Sequence, residues 1–228
     1  MVPNPPEVVS FDAAGTLIHL AEPVGVIYAR VAEAHGVRVS PDLLGIAFKE
    51  VWRRTPPPFA EQSGIPDPDE RAWWSRLVAS VFAAAGVGFR DGAAYRDFFD
   101  ALYRRFEEPG TWLPAPHAAR VLQRVSRAHR CVVLSNFDSR LRRILDDLDL
   151  LAPFERLFLS CEERLSKPDP RLFRRVSETL GVAPAAILHV GDDPACDWAG
   201  AEAAGFRSFR VGGESGSLSR LLDELSLA

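Results

Sequence analysis

Four polar clusters in this 228-residue chain follow closely on short apolar runs. Asp12 ends the run Val8-Val9-Ser10-Phe11, and Ser135-Asn136-Phe137-Asp138 ends Cys131-Val132-Val133-Leu134. Leu157-Phe158-Leu159 leads through Ser160 to Lys167-Pro168-Asp169-Pro170. Ala186-Ile187-Leu188-His189-Val190 leads into Gly191-Asp192-Asp193, with Asp197 beyond. Together they offer a carboxylate, a hydroxyl, an ammonium and an acidic pair. Carboxylates attack electrophiles or bind hard cations, while hydroxyl and ammonium groups hold anionic oxygens. Each group alone has a plainer explanation. An Asp at a strand end is most often a turn or helix cap, Ser135 and Asp138 suit a helix entered at Ser139, and Lys-Pro-Asp-Pro suits another helix entry. The signal is their convergence, which needs elements that bring all four clusters to one edge.

Apolar periodicity supplies those elements. Buried-strand patterns at 8–11, 131–134, 157–159, 186–190 and 208–211 alternate with helical patterns near 116–128, 139–148, 169–180, 195–204 and 218–225. Such alternation predicts a parallel, doubly wound (Rossmann-like) α/β sheet, whose ligands bind beyond the carboxyl ends of the strands. After the first strand, apolar residues recur at helical spacing in four sets, around Val24–Val31, Leu43–Val51, Trp73–Phe82 and Tyr95–Phe106. This all-helical block interrupts the α/β pattern. The core is therefore expected from residues 1–17 and 113–228, with the helical insertion at 18–112.

Composition narrows the function classes. A hydrophobic fraction of 47% with 25% charged residues excludes disorder. A net charge of −4, with Arg pairs scattered along the chain, argues against a nucleic-acid partner. The longest apolar stretch, Val78 to Phe89, is interrupted and too short for a membrane span, and the Pro-rich start carries no secretory pattern. Cys131, Cys161 and Cys196 form no CxxC pair, which suits a reducing cytoplasm. No GxxxxGK[ST] motif is present. Only two of the 27 basic residues are lysine, Lys49 and Lys167, so each is conspicuous.

Asp-x-x-Gly-Thr-Leu at 12–17, Ser-Asn at 135–136, Lys-Pro at 167–168 and Gly-Asp-Asp-x-x-x-Asp at 191–197 resemble, in order, the four motifs of haloacid dehalogenase-like hydrolases. The resemblance spans residues 8–212. Pro23-Val24-Gly25 with Tyr28, and the Ser-Asn-Phe-Asp and Lys-Pro-Asp-Pro strings, are most similar to the subset named for a rhythmically expressed fly protein. The resemblance implies that the helical block is a cap domain. It implies Asp12 as the nucleophile that forms an aspartyl-phosphate on a small phosphorylated metabolite. It further implies Mg²⁺ held by Asp12, Asp192 and the Ala14 carbonyl, with Ser135, Asn136 and Lys167 binding the phosphoryl group. Thr16, Asp193 and Asp197 would support these residues, and Lys167 would neutralise charge in the transition state.

The chain departs from the family pattern at Ala14, where phosphatases of this family carry the Asp that protonates the leaving alcohol. A backbone metal ligand survives there; the proton donor does not. Three expectations follow. One is a phosphohydrolase for leaving groups that need no proton, such as acyl or aryl phosphates. The second is other chemistry on the fold. Dehalogenases usually have Ser-Ser-Asn where this chain has Gly191-Asp192-Asp193, which points away from them. Phosphonoacetaldehyde hydrolases share the Ala but use a cap lysine, for which Lys49 is the sole candidate and a solvent-facing residue the simpler reading. The third is a weakly active phosphate-binding or interaction protein. His19 and His117 are candidate surrogate acids and more simply surface or capping residues. Trp52, Trp73, Trp74 and Trp112 read as helical-block core, and the Thr55 to Glu70 loop as a determinant of specificity.

Overall fold

The computed structural model describes residues 4–59, 69–213 and 217–227. Much of the Thr55 to Glu70 loop therefore lies outside the described residues, as does part of the Gly-rich segment at 212–216. The chain divides into two compact units, residues 1–19 with 113–228 and residues 20–112.

The first unit is built on five strands: β1 (Val8–Phe11), β4 (Arg130–Ser135), β5 (Arg156–Leu159), β6 (Ile187–Gly191) and β7 (Arg207–Arg210). They form one sheet in the order β5-β4-β1-β6-β7, and every pairing is parallel. The expected doubly wound α/β fold is the one observed. Its inner strands read as continuous apolar runs because helices cover both faces of a parallel sheet. Those helices are α5 (Ala118–Val125), α6 (Leu141–Asp147), the short α7 (Ser160–Glu163), α8 (Pro170–Leu180), α9 (Gly200–Ala203) and α10 (Arg220–Glu224). One cluster of the core packs Val8, Val132, Leu134 and Phe158 from the strands against Leu172, Phe173 and Val176 of α8.

Three local expectations change. The helix read near 116–128 begins only at Ala118, because His117 adopts a left-handed backbone at φ 69°. The helix read near 195–204 is a π-helical turn, Pro194–Ala199, that continues as α9. Two short strands that were not expected, β2 (Ile18–Leu20) and β3 (Trp112–Pro114), pair with each other where the chain leaves and rejoins the α/β pattern.

The second unit contains α1 (Val24–Ala34), α2 (Pro41–Arg54), α3 (Glu70–Ala84) and α4 (Gly92–Arg105). Tyr28, Trp73, Phe82, Phe98 and Leu102 are buried in its core. Gly25 is required where α1 meets α2, since a Cβ there would fall 2.1 Å from the Pro41 carbonyl oxygen. Trp73 is buried and donates its indole N–H to the Pro56 carbonyl, whereas Trp52 is half exposed and stacks on Phe48 and Trp74. Lys49 lies exposed on α2.

Candidate active site

The direction of winding reverses between β1 and β6, and ligand crevices open at such a switch point. Asp12 leaves β1 there and Asp192 leaves β6. Asp12 is 7% exposed, and its backbone N–H donates to the Val190 carbonyl at 2.8 Å, which ties the two strand ends together. The turn after Asp12 closes on itself: the Leu17 and Ile18 N–H groups donate to Ala13 and the Gly15 N–H donates to Ile18. Among the described residues no backbone donor ends on the Ala14 carbonyl. Ala14 itself is exposed.

Gly15 serves two needs at once. Its φ of +94° belongs to the region glycine favours, and a Cβ there would lie 2.4 Å from Asp192 Oδ2. Thr16 donates its hydroxyl to Asp192 Oδ1 at 3.3 Å. Gly191 has a matching role, because a Cβ on it would lie 2.3 Å from the Asp197 carboxyl carbon.

The other clusters converge on Asp12. Ser135, at the end of β4, donates its hydroxyl to Asp12 Oδ1 at 3.0 Å and accepts from the Phe137 N–H. Lys167 is 2% exposed, and its Nζ donates to Asp12 Oδ1 at 2.8 Å and Asp197 Oδ1 at 2.5 Å. Asn136 does not point a polar group at Asp12. It locks the Lys167 backbone, donating to the Lys167 carbonyl at 2.9 Å and accepting from its N–H at 2.7 Å. The peptide bond that follows, Lys167–Pro168, is cis.

The acidic residues of the last cluster take different places. Asp197 reaches Lys167, whereas Asp193 accepts from the N–H groups of Ala195 and Cys196 and so caps the π-helical turn. Asp138 accepts from the backbone and guanidinium of Arg140, a buried ion pair at the entry to α6. His19 and His117 are both exposed.

Two residues of this network were not singled out from sequence. His189, on β6, is 1% exposed and approaches Asp197 Oδ1 with Nε2 at 3.0 Å. Its Nδ1 lies 3.0 Å from the hydroxyl of Ser10, its register partner on β1. The available signal was a polar residue within each of two otherwise apolar strands.

Two carboxylates, Asp12 and Asp197, flank one ammonium here, and a third, Asp192, lies beside them. Burial, opposed by Lys167 and reinforced by Asp197, pushes Asp12 up to about 6. Burial and Asp197 also raise Asp192. Burial would lower Lys167, yet the flanking Asp12 and Asp197 raise it above the usual lysine range. Burial would raise Asp197, but Lys167 and His189 hold it well below the carboxylate range. One oxygen from each of Asp12, Asp192 and Asp197 lies within 4.8 Å of the others. Asp197 is committed to Lys167 and His189, which leaves Asp12 and Asp192 as the carboxylates available to a hard divalent cation.

A parallel doubly wound sheet with a buried carboxylate–ammonium–carboxylate cluster at its switch point defines a Rossmann-like α/β core with a polar site at the strand ends. The chain belongs to the haloacid dehalogenase-like hydrolases, whose family model matches residues 6–205. It is 36% identical to haloacid dehalogenase-like hydrolase domain-containing protein 3 of Bos taurus, covering 90% of this chain and 81% of that protein. It is 28% identical to the rhythmically expressed gene 2 protein of Drosophila melanogaster, covering 89% and 82%. In fold it is similar to the HAD-hydrolase YfnB from Bacillus subtilis bound to magnesium, with a TM-score of 0.78 at 16% identity, covering 98% of this chain and 100% of that one. Other solved structures that share the fold include a dehalogenase and a phosphatase, so the fold does not select the leaving group.

Proposed function

We propose that this chain is a Mg²⁺-dependent phosphohydrolase that acts on a small phosphorylated metabolite through an aspartyl-phosphate on Asp12. The observation that carries the reading is the junction of Ser135 and Lys167 on one oxygen of Asp12, beside a second carboxylate, Asp192. Because Oδ1 takes both donors, Oδ2 is the oxygen left to attack phosphorus. Asp12, Asp192 and the Ala14 carbonyl would hold the cation, and the buried excess of carboxylates fits it. When bound, Mg²⁺ would offset the repulsion between the Asp12 carboxylate and the phosphoryl oxygens.

In this scheme Oδ2 forms a bond to phosphorus as the bond to the leaving oxygen breaks. The Lys167 ammonium, with a third N–H beyond those on Asp12 and Asp197, balances charge on the phosphoryl oxygens as it shifts, while Ser135 keeps its one proton on Asp12 Oδ1. Water then attacks phosphorus, releasing inorganic phosphate and restoring the carboxylate. Ala14 cannot supply a proton, and His19 and His117 are exposed and take no part in the hydrogen bonds that hold Asp12. The leaving group must depart as a stable anion, so acyl and aryl phosphates suit the site better than alkyl phosphates. The four-helix unit is read as the cap, and a cytoplasmic setting suits the three free thiols.

The same missing acid favours a second reading, a dehalogenase-like reaction in which halide departs unprotonated. The Asp192 carboxylate argues against it, since that reaction calls for no second acid or metal. Phosphate release from p-nitrophenyl phosphate with Mg²⁺, compared with chloride release from a 2-chloro acid, separates the two. Turnover of the phosphate, lost in Asp12→Asn, supports the proposal. No turnover above that variant across a panel of phosphates overturns it, leaving the halide reading if chloride is released and a phosphate-binding or interaction role if it is not.

A further inference from the structure

The chain Ser10–His189–Asp197–Lys167–Asp12 runs from within the sheet to the reacting carboxylate through consecutive polar contacts of 3.0, 3.0, 2.5 and 2.8 Å. Its inner half has no part in the mechanism above, yet Ser10 and His189 are fully buried among apolar strands. Burying such groups is costly unless each is satisfied, so their geometry is specific. A carboxylate only accepts hydrogen bonds, so the ring nitrogen that faces Asp197 must carry the proton. Burial disfavours the charged ring, so Nδ1 accepts from the Ser10 hydroxyl, which can turn to donate; Asp197, which can only accept, selects this tautomer. Asp197 is thereby held at three points, by His189 and Lys167 on Oδ1 and by the Asp193 N–H on Oδ2 at 3.0 Å. The ring also packs edge-on against Phe173 of α8 at 5.7 Å, which fixes its plane.

We propose that His189 is a positioning residue: held by Ser10 with its proton on Nε2, it fixes Asp197 and, through Asp197, places the Lys167 ammonium against Asp12. Partners that orient the ligands of metal sites are typically worth about 10–100-fold, and that scale is taken for His189. The catalytic part of the proposal rests on the phosphohydrolase reading; the structural part does not, and the test separates them.

The chain has only two lysines, and Lys49 is exposed, so a slowly exchanging ¹⁵N ammonium signal can come only from Lys167. Full-length protein labelled with ¹⁵N-lysine or ¹⁵N-histidine should show that ammonium signal and a buried imidazole protonated at Nε2 alone. His189→Gln keeps an N–H donor near the Nε2 position, while His189→Phe keeps the ring but not the donor. The Lys167 signal should survive in the Gln variant and broaden or vanish in the Phe variant. Turnover of p-nitrophenyl phosphate should fall about 10–100-fold in His189→Phe and stay within a few-fold of wild type in His189→Gln. A role in packing alone would be served at least as well by His189→Phe, which keeps the ring against Phe173, as by His189→Gln.

An Nδ1-protonated ring in wild type, or a Lys167 signal and turnover that do not distinguish Gln from Phe, overturns the proposal. If wild type shows no turnover above Asp12→Asn, the phosphohydrolase reading fails. The tautomer and the ammonium signal then decide the placement of Lys167 by themselves, and the wild-type tautomer does so even if a variant fails to fold.

Discussion

Replacing Gly15 with alanine should separate a backbone cost from a metal-site cost. At φ +94° an L-residue is strained by about 1–2 kcal/mol. In a chain of this length that lowers Tm by roughly 2–8 °C. The added Cβ would also lie 2.4, 2.6 and 2.7 Å from the three atoms of the Asp192 carboxyl group, so the whole group must retreat by about 1 Å to reach ordinary contact. Gly181, in the same unit at the end of α8, is the control: its φ is +67° and nothing lies within 4 Å of its Cβ position. Both variants should lose stability by thermal unfolding. Only Gly15→Ala should weaken Mg²⁺ binding by calorimetry, by about 10–100-fold, as expected when a ligand's placement is disturbed. Equal Mg²⁺ affinity in Gly15→Ala and wild type, or an equal loss in Gly181→Ala, would refute Asp192 as the residue that Gly15 makes room for.

Three further outcomes follow from the same geometry. Ala14→Asp, which adds a carboxyl group at an exposed position on the turn, should speed hydrolysis of alkyl phosphates by about 10²-fold or more. It should leave p-nitrophenyl phosphate within a few-fold, and equal gains on both substrates would contradict the missing-acid account. Because burial raises Asp12 to about 6, protons compete with Mg²⁺ below that pH. Mg²⁺ affinity should be full near pH 7.5 and fall by up to about tenfold per unit below 6, with proton release on binding; a flat profile between about pH 7.5 and about 5 would place the cation elsewhere. Arg140→Leu removes the guanidinium from buried Asp138 and should cost about 3–5 kcal/mol in denaturant unfolding, whereas Arg143→Leu, at an exposed pair, should cost less than about 1 kcal/mol.

The order and type of the sheet elements were legible because buried parallel strands announce themselves as uninterrupted apolar runs, and the helices between them by period. The convergence of Asp12, Ser135, Lys167 and Asp192 followed from that order alone, since each follows a strand of one parallel sheet. What sequence could not rank was the choice among neighbours within a loop. Asp193 and Asp197 looked alike, and the π-helical turn sends one to cap a backbone and the other to Lys167. Asn136 looked like a phosphoryl ligand because it follows Ser135, yet its amide matches the Lys167 backbone donor and acceptor in both directions. Ser10 and His189 were passed over because each sits inside an apolar strand, where a polar residue attracts attention only once its register partner is known. The β2–β3 pair was missed for a different reason: three-residue strands are too short to show any period.

If Asp12 carries the phosphoryl group, reduction with borohydride will show it. An aspartyl-phosphate is reduced by borohydride to homoserine, whereas a free carboxylate is not. Protein turning over acetyl phosphate or p-nitrophenyl phosphate with Mg²⁺ should, after rapid borohydride quenching, yield a peptide with homoserine at position 12. The product should be absent when Mg²⁺ is chelated and in Asp12→Asn. Sustained turnover with Asp12 left unmodified and another residue labelled, or with no label on the protein, would contradict the account.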